Sequence, residues 1–216
     1  MKNLQSFSYH LYSIIFLLGL QCYQFPLQMK SEEIILKEMD SGDFFVSINY
    51  TFFGYLLFPL SVSFPEPENF EFKKFKRYWN QIPVPVKKRI APIHKEYSLF
   101  GSSYHALYES ILPTSISESS ILIDQYEFSP VILESSNKSE IPTGKYIEYI
   151  LLTGSGWKGK IEEIKIHLYL KEPICKKILI LPKSYYGFCA SEYYWQSTQK
   201  NCKPTKNIRL VIPLKK

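Results

Sequence analysis

The sequence predicts an all-β fold, or a mainly β one with one or two short helices, in β-sandwich-like antiparallel sheets. Three observations predict it. Aromatic residues make up 16% of the 216 residues, with 17 Tyr and 15 Phe, and Tyr, Phe and Ile together outweigh Ala and Leu, a balance that favours strands. The run Ile161–Leu170 alternates Ile164, Ile166, Leu168 and Leu170 against Glu163, Lys165, His167 and Tyr169. That period of two marks a strand with one face on a core and one in water. Between Tyr149–Leu152 and that run lies Thr153-Gly-Ser-Gly-Trp-Lys-Gly159, whose glycines suit the tight turn of a hairpin.

Composition narrows the class. Hydrophobic residues at 45% supply a real core, so wholesale disorder is excluded. The net charge of +6 is spread among 20 acids and forms no basic stripe, so nucleic acid is not an expected partner.

From the start of the chain, Leu11–Leu20 is an apolar run of export-signal length, too short for a membrane span, and it ends at Gly19-Leu-Gln-Cys22. A Leu-rich run closing on a cysteine resembles the lipobox of bacterial lipoproteins, which implies a lipid on Cys22 and tethering to the cell envelope, in the outer membrane or periplasm. Gln21, where that motif has a small residue, departs from it, and an ordinary cleaved signal or uncleaved anchor is the alternative. Residues 1–22 are thus a signal and 29–213 a β-rich domain, with sub-domains 29–95 and 115–213 as an option.

Ile34–Leu36, Phe45–Phe52 and Leu56–Phe64 read as a three-stranded meander, with a turn at Asp40–Asp43 and an end at Pro65 and Pro67. Residues 70–89 interleave Phe70, Phe72, Phe75, Tyr78 and Trp79 with seven Lys and Arg side chains. This reads as a short amphipathic helix or loop with rings on the sheet, or else as a membrane-surface segment. Tyr104, Leu107, Tyr108 and Ile111 fall at helical spacing, predicting a short helix over 102–112. Strands follow at Ser117–Phe128, Val131–Leu133, Cys175–Leu181 and Ile208–Pro213, with a polar loop at 134–140 and an aromatic loop at 185–201.

In this order the chain resembles an uncharacterised exported bacterial family, domain of unknown function 4424. The resemblance rests on Tyr-Ile-Leu-x-Thr-Gly-x-x-Trp-Lys-Gly-x-Ile at 149–161, the Phe64-Pro65-x-Pro67 strand end and Lys203-Pro204-Thr-Lys-Asn207. It covers roughly Met29 to Pro213, thinly between Glu68 and Ser120, and implies an exported β-rich protein. That family has no assigned activity, so no site residue carries over.

The chemistry-bearing residues are sparse. Cys22, Cys175, Cys189 and Cys202 leave three thiols if Cys22 is acylated, hence one pair and one free thiol. Cys189–Cys202 would close a loop of about a dozen residues, worth on the order of 3 kcal/mol; Cys175 is either a buried thiol or an alternative partner for Cys189. No paired Cys or His spacing suits a metal. Gly154-x-Gly156-x-x-Gly159 joins two strand patterns, not a strand to a helix, so no dinucleotide cofactor is expected. His94 or His105 with a dispersed Ser or Asp would be the only route to a hydrolase. The favoured reading is a non-enzymatic binding or structural module, its exposed recognition surface formed by Trp157, Tyr193, Tyr194 and Trp195, for a carbohydrate or protein ligand.

Overall fold

The computed structural model describes residues 27–90, 104–133, 143–149, 160–181, 186–204 and 207–214. Outside them lie the signal with Cys22, His94, the 134–140 loop and the Gly154–Gly159 turn with Trp157. The described residues form strands and one 3-10 turn, with no α-helix, and no helix long and apolar enough to cross a membrane. The fold is all-β, as predicted.

An eight-stranded sheet forms the first layer. In spatial order it runs β13 (Phe188–Ser191), β14 (Tyr194–Cys202), β11 (Ile161–Tyr169), β1 (Gln28–Glu38), β2 (Phe44–Phe53), β8 (Ser119–Phe128), β4 (Phe72–Trp79) and β5 (Ile82–Val84). Strands from 29–95 and from 115–213 therefore share one sheet. Two smaller sheets pack against it: β12 (Leu179–Leu181), β15 (Ile208–Pro213), β10 (Gly144–Tyr149) and β9 (Val131–Leu133); and β3 (Leu60–Pro67), β7 (Tyr104–Leu112) and β6 (Lys87–Ile90). Pairing is antiparallel except for β1 with β11, which run parallel.

Several local expectations are corrected. The expected hairpin of Tyr149–Leu152 with Ile161–Leu170 does not form: both edges of β11 are taken, by β1 and β14, Tyr149 closes β10, which pairs with β15 and β9, and 150–152 lie outside the described residues. The meander is likewise broken: β1 and β2 pair, but β3 leaves to pair with β7. On the edge of its small sheet, β3 tolerates Pro65 and Pro67, which have no N–H to give. The 185–201 loop is in fact the hairpin of β13 and β14, and the Cys175–Leu181 strand is a 3-10 turn followed by the short β12.

The helix expected over 102–112 is a strand across its described part. Ala106, Tyr108, Ser110 and Leu112 alternate inward, while Ile111 is exposed. The spacing of Leu107 and Ile111 mimicked a helical stripe only because both apolar side chains lie on the outer face of the strand.

Residues 70–89 are also strands, and their rings are core. Lys74 has a positive φ of 54° at a bulge between Lys73 and Lys76. The extra residue flips the alternation, so Phe72 faces inward and Arg77 and Trp79 do as well, with Phe75 partly buried between them. Spacing of three and four residues here is a bulged strand, not an amphipathic helix. Asn80 and Gln81, at φ 49° and 69°, then form the two-residue turn into β5, the left-handed pair that hairpin twist favours.

Phe64 of β3 joins all three sheets. Its ring centroid lies 5.7 Å from Tyr126, 6.0 Å from Phe72 and 6.4 Å from Tyr149. Beside it, Arg77 of β4 forks onto Asp124 of β8 at 2.6 and 2.7 Å, with both side chains almost fully buried. Its third nitrogen donates across the interface to the carbonyls of Val62 and Tyr108, at 3.5 and 3.4 Å. Removing one partner strands the other charge in the core, whereas removing both does not. Arg77→Met should therefore cost about 3–5 kcal/mol in urea unfolding, and Arg77→Met with Asp124→Leu should recover most of it. A double variant no more stable than the single one would show that the pair is not what the site depends on.

Candidate functional site

Alternation places four carboxylates on core faces. Glu32 and Glu38 share the parity of Ile34 and Leu36 in β1, Glu66 that of Phe64, and Asp124 that of Leu122 and Tyr126. All four are buried. They belong to no motif, and their parity with apolar neighbours is the one signal of them in the sequence.

Glu32 faces the four-stranded sheet. Tyr149 of β10 donates to Glu32 Oε1 at 2.6 Å, and the Tyr149 and Tyr50 hydroxyls lie 3.4 Å apart. Oε2 of Glu32 has no hydrogen-bond partner among the described residues. Burial pushes the carboxyl up to about 7, against the opposing pull of the Tyr149 hydrogen bond. The nearby cavity between Tyr50, Phe64, Arg77 and Asp124 is about 40 Å³, room for a single water at most. This interior cluster links layers and offers no space to a ligand.

Glu66 links layers at the other end. Its carboxylate accepts from the Phe72 N–H and, at 3.2 Å, from the Tyr108 hydroxyl, which also reaches the Phe72 carbonyl at 3.0 Å. Lys88 and His105 approach it at 2.8 and 3.0 Å. So His105 does have a carboxylate partner, but its Nδ1 is buried without a hydrogen-bond partner among the described residues. A general base needs that second nitrogen within reach of a nucleophile, and no such contact occurs among the described residues. No metal-sized group of His, Cys, Asp and Glu occurs among the described residues.

The expected recognition surface divides. Trp195 is 2% exposed and belongs to the core, beneath Gly187. A Cβ on Gly187 would stand 2.1 Å from the Trp195 ring, so the chain passes directly over the indole. Tyr193 is 48% exposed. Tyr194 points to the outer face of the eight-stranded sheet, opposite Tyr169, and the two rings stack at 4.7 Å and 17°. Cross-strand partners share a face, which puts Phe188, Gln196 and His167 in the adjoining row.

Hydrogen bonds hold Tyr194 between Gln196 and His167. Tyr194 donates to Gln196 Oε1 at 2.9 Å, so its oxygen accepts from His167 Nδ1 at 2.6 Å, which assigns that tautomer. His167 Nε2 lies 3.4 Å from Glu33 with no hydrogen-bond partner among the described residues, and Glu33 accepts from Asn49 at 3.3 Å. Burial and the neighbouring Tyr169 raise the Tyr194 phenol, keeping it a donor. The result is an immobilised aromatic corner with amide and carboxylate groups at its edge. Tyr169, Phe188, His167 and Gln196 were not singled out as part of it, because the loop reading of 185–201 concealed their shared face.

The cysteine expectation is corrected as well. The disulfide joins Cys175 to Cys189, with Cα atoms 5.9 Å apart, and Cys202 is a partly buried free thiol. Strand β14 carries Cys202 onto Ile161 in β11, the length of that strand away from Cys189. Cys189 instead lies at the sheet edge, where the 3-10 turn brings Cys175.

The raised Glu32 value has a stability consequence of definite sign. The folded chain holds a proton that the unfolded chain releases between the ordinary carboxylate value of 4.5 and about 7. Stability therefore falls as pH rises through that window, by roughly 3 kcal/mol at most. Urea midpoints at pH 5 and pH 8 should differ less for Glu32→Gln than for the native chain. An unchanged pH dependence would assign the effect elsewhere.

No family model matches this chain, and no curated protein does. Solved structures do. A "putative nutrient binding protein" of Legionella pneumophila superposes with a TM-score of 0.61 at 14% identity, covering 88% of this chain and 68% of that one. Yeast LTA4 hydrolase follows at a TM-score of 0.49 and 9% identity, over 88% of this chain but 29% of its own length. An M1 zinc metallopeptidase of Deinococcus radiodurans gives 0.42 at 9%, over 86% and 42%. The chain thus spans less than half the length of either of these two enzymes, and what it shares with the Legionella protein is the fold.

Proposed function

We propose that this chain is an exported binding module, tethered to the cell envelope by a lipid on Cys22, that takes a carbohydrate on the aromatic corner of β11, β13 and β14. The observation that carries this reading is the stacked pair Tyr169 and Tyr194 on the solvent-facing side of the sheet, with Tyr169 41% and Phe188 61% exposed. A pyranose presents a flat C–H face that packs on such rings, and its hydroxyls need planar polar partners. Gln196 and Glu33 supply them at the edge of the corner. Exposed aromatics at fixed geometry bind with little loss of side-chain freedom. The fold shared with the Legionella protein is compatible with a binding role, and the leader ending in Cys22 supports export.

Sedimentation with purified peptidoglycan sacculi tests the site. The native chain should co-sediment, and Tyr169→Ala, at an exposed position, should weaken retention at least about tenfold, close to 1.4 kcal/mol, without a change in unfolding midpoint. Equal retention of the two would remove the corner from the binding site. Tethering is checked by palmitate labelling, which should mark the native chain and not Cys22→Ser.

A further inference from the structure

Strand β1 enters the eight-stranded sheet with Gln28 opposite Phe53 of β2, and Phe53 in turn faces Ser119 of β8. The start of β1 thus shares one end of the sheet with two loops, 54–59 leading out of β2 and 113–118 leading into β8. The loops are fastened to each other and to the sheet. Leu56 and Ser115 exchange backbone hydrogen bonds at 2.9 and 2.8 Å, and the Gly54 N–H donates to the Glu118 carbonyl at 2.9 Å. With these backbone groups met, the loops turn apolar side chains outward. Phe58 is 65% and Ile116 86% exposed, with Phe53, Tyr55 and Leu57 exposed beside them. Connections are ordinarily built from Gly, Asn, Asp and Ser, and the core gains nothing from rings in water.

A contiguous apolar surface of this kind marks contact with a protein or a membrane, and the chain itself favours the second. Cys22 stands five residues before Leu27, a reach of at most about 18 Å when fully extended. A lipid on Cys22 therefore holds this end of the sheet against a bilayer. The other end of β1 and β2 is a polar turn through Asp40, Ser41 and Asp43. Charge does not explain the loops either. Their one charged residue is Glu118, which accepts from the Tyr55 hydroxyl at 3.0 Å. The rings of 70–89 lie in the core, so the apolar surface near the tether is this one.

We propose that the two loops form a membrane-facing tip, with Leu57, Phe58 and Ile116 entering the interfacial layer of the bilayer and Tyr55 at its polar edge. This inference rests on the tether at Cys22 and not on the carbohydrate reading. It also orients the domain. Tyr169 pairs with Lys37 at the far end of β1, so the aromatic corner stands about 30 Å along the sheet from the tip.

The full-length chain carrying Cys202→Ser, acylated in cells and reconstituted in phosphatidylethanolamine–phosphatidylglycerol vesicles, tests it. Because Cys175 and Cys189 are joined, Phe58→Cys or Ser41→Cys then supplies a single thiol for a fluorophore. Phospholipid spin-labelled near the head of its acyl chain should quench the label at 58 at least about fivefold more than at 41, at low and high salt alike. Leu57→Ser with Ile116→Ser, both at exposed positions, should cut that quenching at least about threefold. A chain that takes up palmitate yet shows equal quenching at 58 and 41 would overturn the membrane tip and leave the tether standing. A chain that takes up no palmitate would remove the tether and this inference with it. Disulfide cross-linking of two copies through position 58, without quenching by lipid, would also overturn it, because a second copy would then be the occupant.

Discussion

The structure depends on polar groups sealed between its layers. Apolar burial pulls the sheets together without specifying where they meet, since it scales with area and has little direction. Hydrogen bonds in a dry interior do specify it, because each unmet group there carries its full desolvation cost. Tyr149 reaching Glu32 sets the four-stranded sheet against β1. Arg77 reaching the Val62 and Tyr108 carbonyls sets the three-stranded sheet against β4. Glu66 and Tyr108 close the same interface by capping both backbone groups of Phe72. Slippage of either small sheet would orphan several buried groups at once, whereas the rings around Phe64 could repack.

This internal use of polar and aromatic residues shapes what is left outside. Trp79, Trp195, Phe72 and Tyr126 lie in the core, and the lysines among the rings of β4 stay on the surface, where Lys73 meets Asp43 and Lys74 meets Glu127. The aromatic corner of Tyr169, Tyr194 and Phe188 stands out for that reason. It sits where the β13–β14 hairpin, clamped by the Cys175–Cys189 disulfide, meets β11. The rigid edge comes from covalent and ladder constraints, and the chemistry is laid on its outer face.

Much of the fold was legible because most strands alternate cleanly: the β2, β8, β11 and β15 regions read as strands from the order of their residues alone. Misreadings arose where parity breaks or where pairing is non-local. The bulge at Lys74 gave Phe72 and Phe75 a spacing that looks helical, and Leu107 with Ile111 did the same on the outer face of β7. The parallel partnership of β1 with β11 joins residues over a hundred positions apart, and nothing local in Ile161–Leu170 shows which strands lie along its two edges. Trp195 looked exposed because its loop was in truth a strand with Gly187 lying over the ring. The buried acids were readable in principle, since Glu32 keeps step with Ile34 and Leu36, but acids are seldom placed inside without a visible partner, and Tyr149 lies far along the chain.

Glu32 is enclosed between the layers beneath Tyr149. Infrared titration of its carboxyl stretch, with Glu32→Gln subtracted, reads that enclosure. A protonated carboxyl should persist through mildly acidic pH and ionise near the value of about 7 set by burial. A Glu32 band ionising at the ordinary carboxylate value would place that side chain in water, and the layers could not then be joined as described.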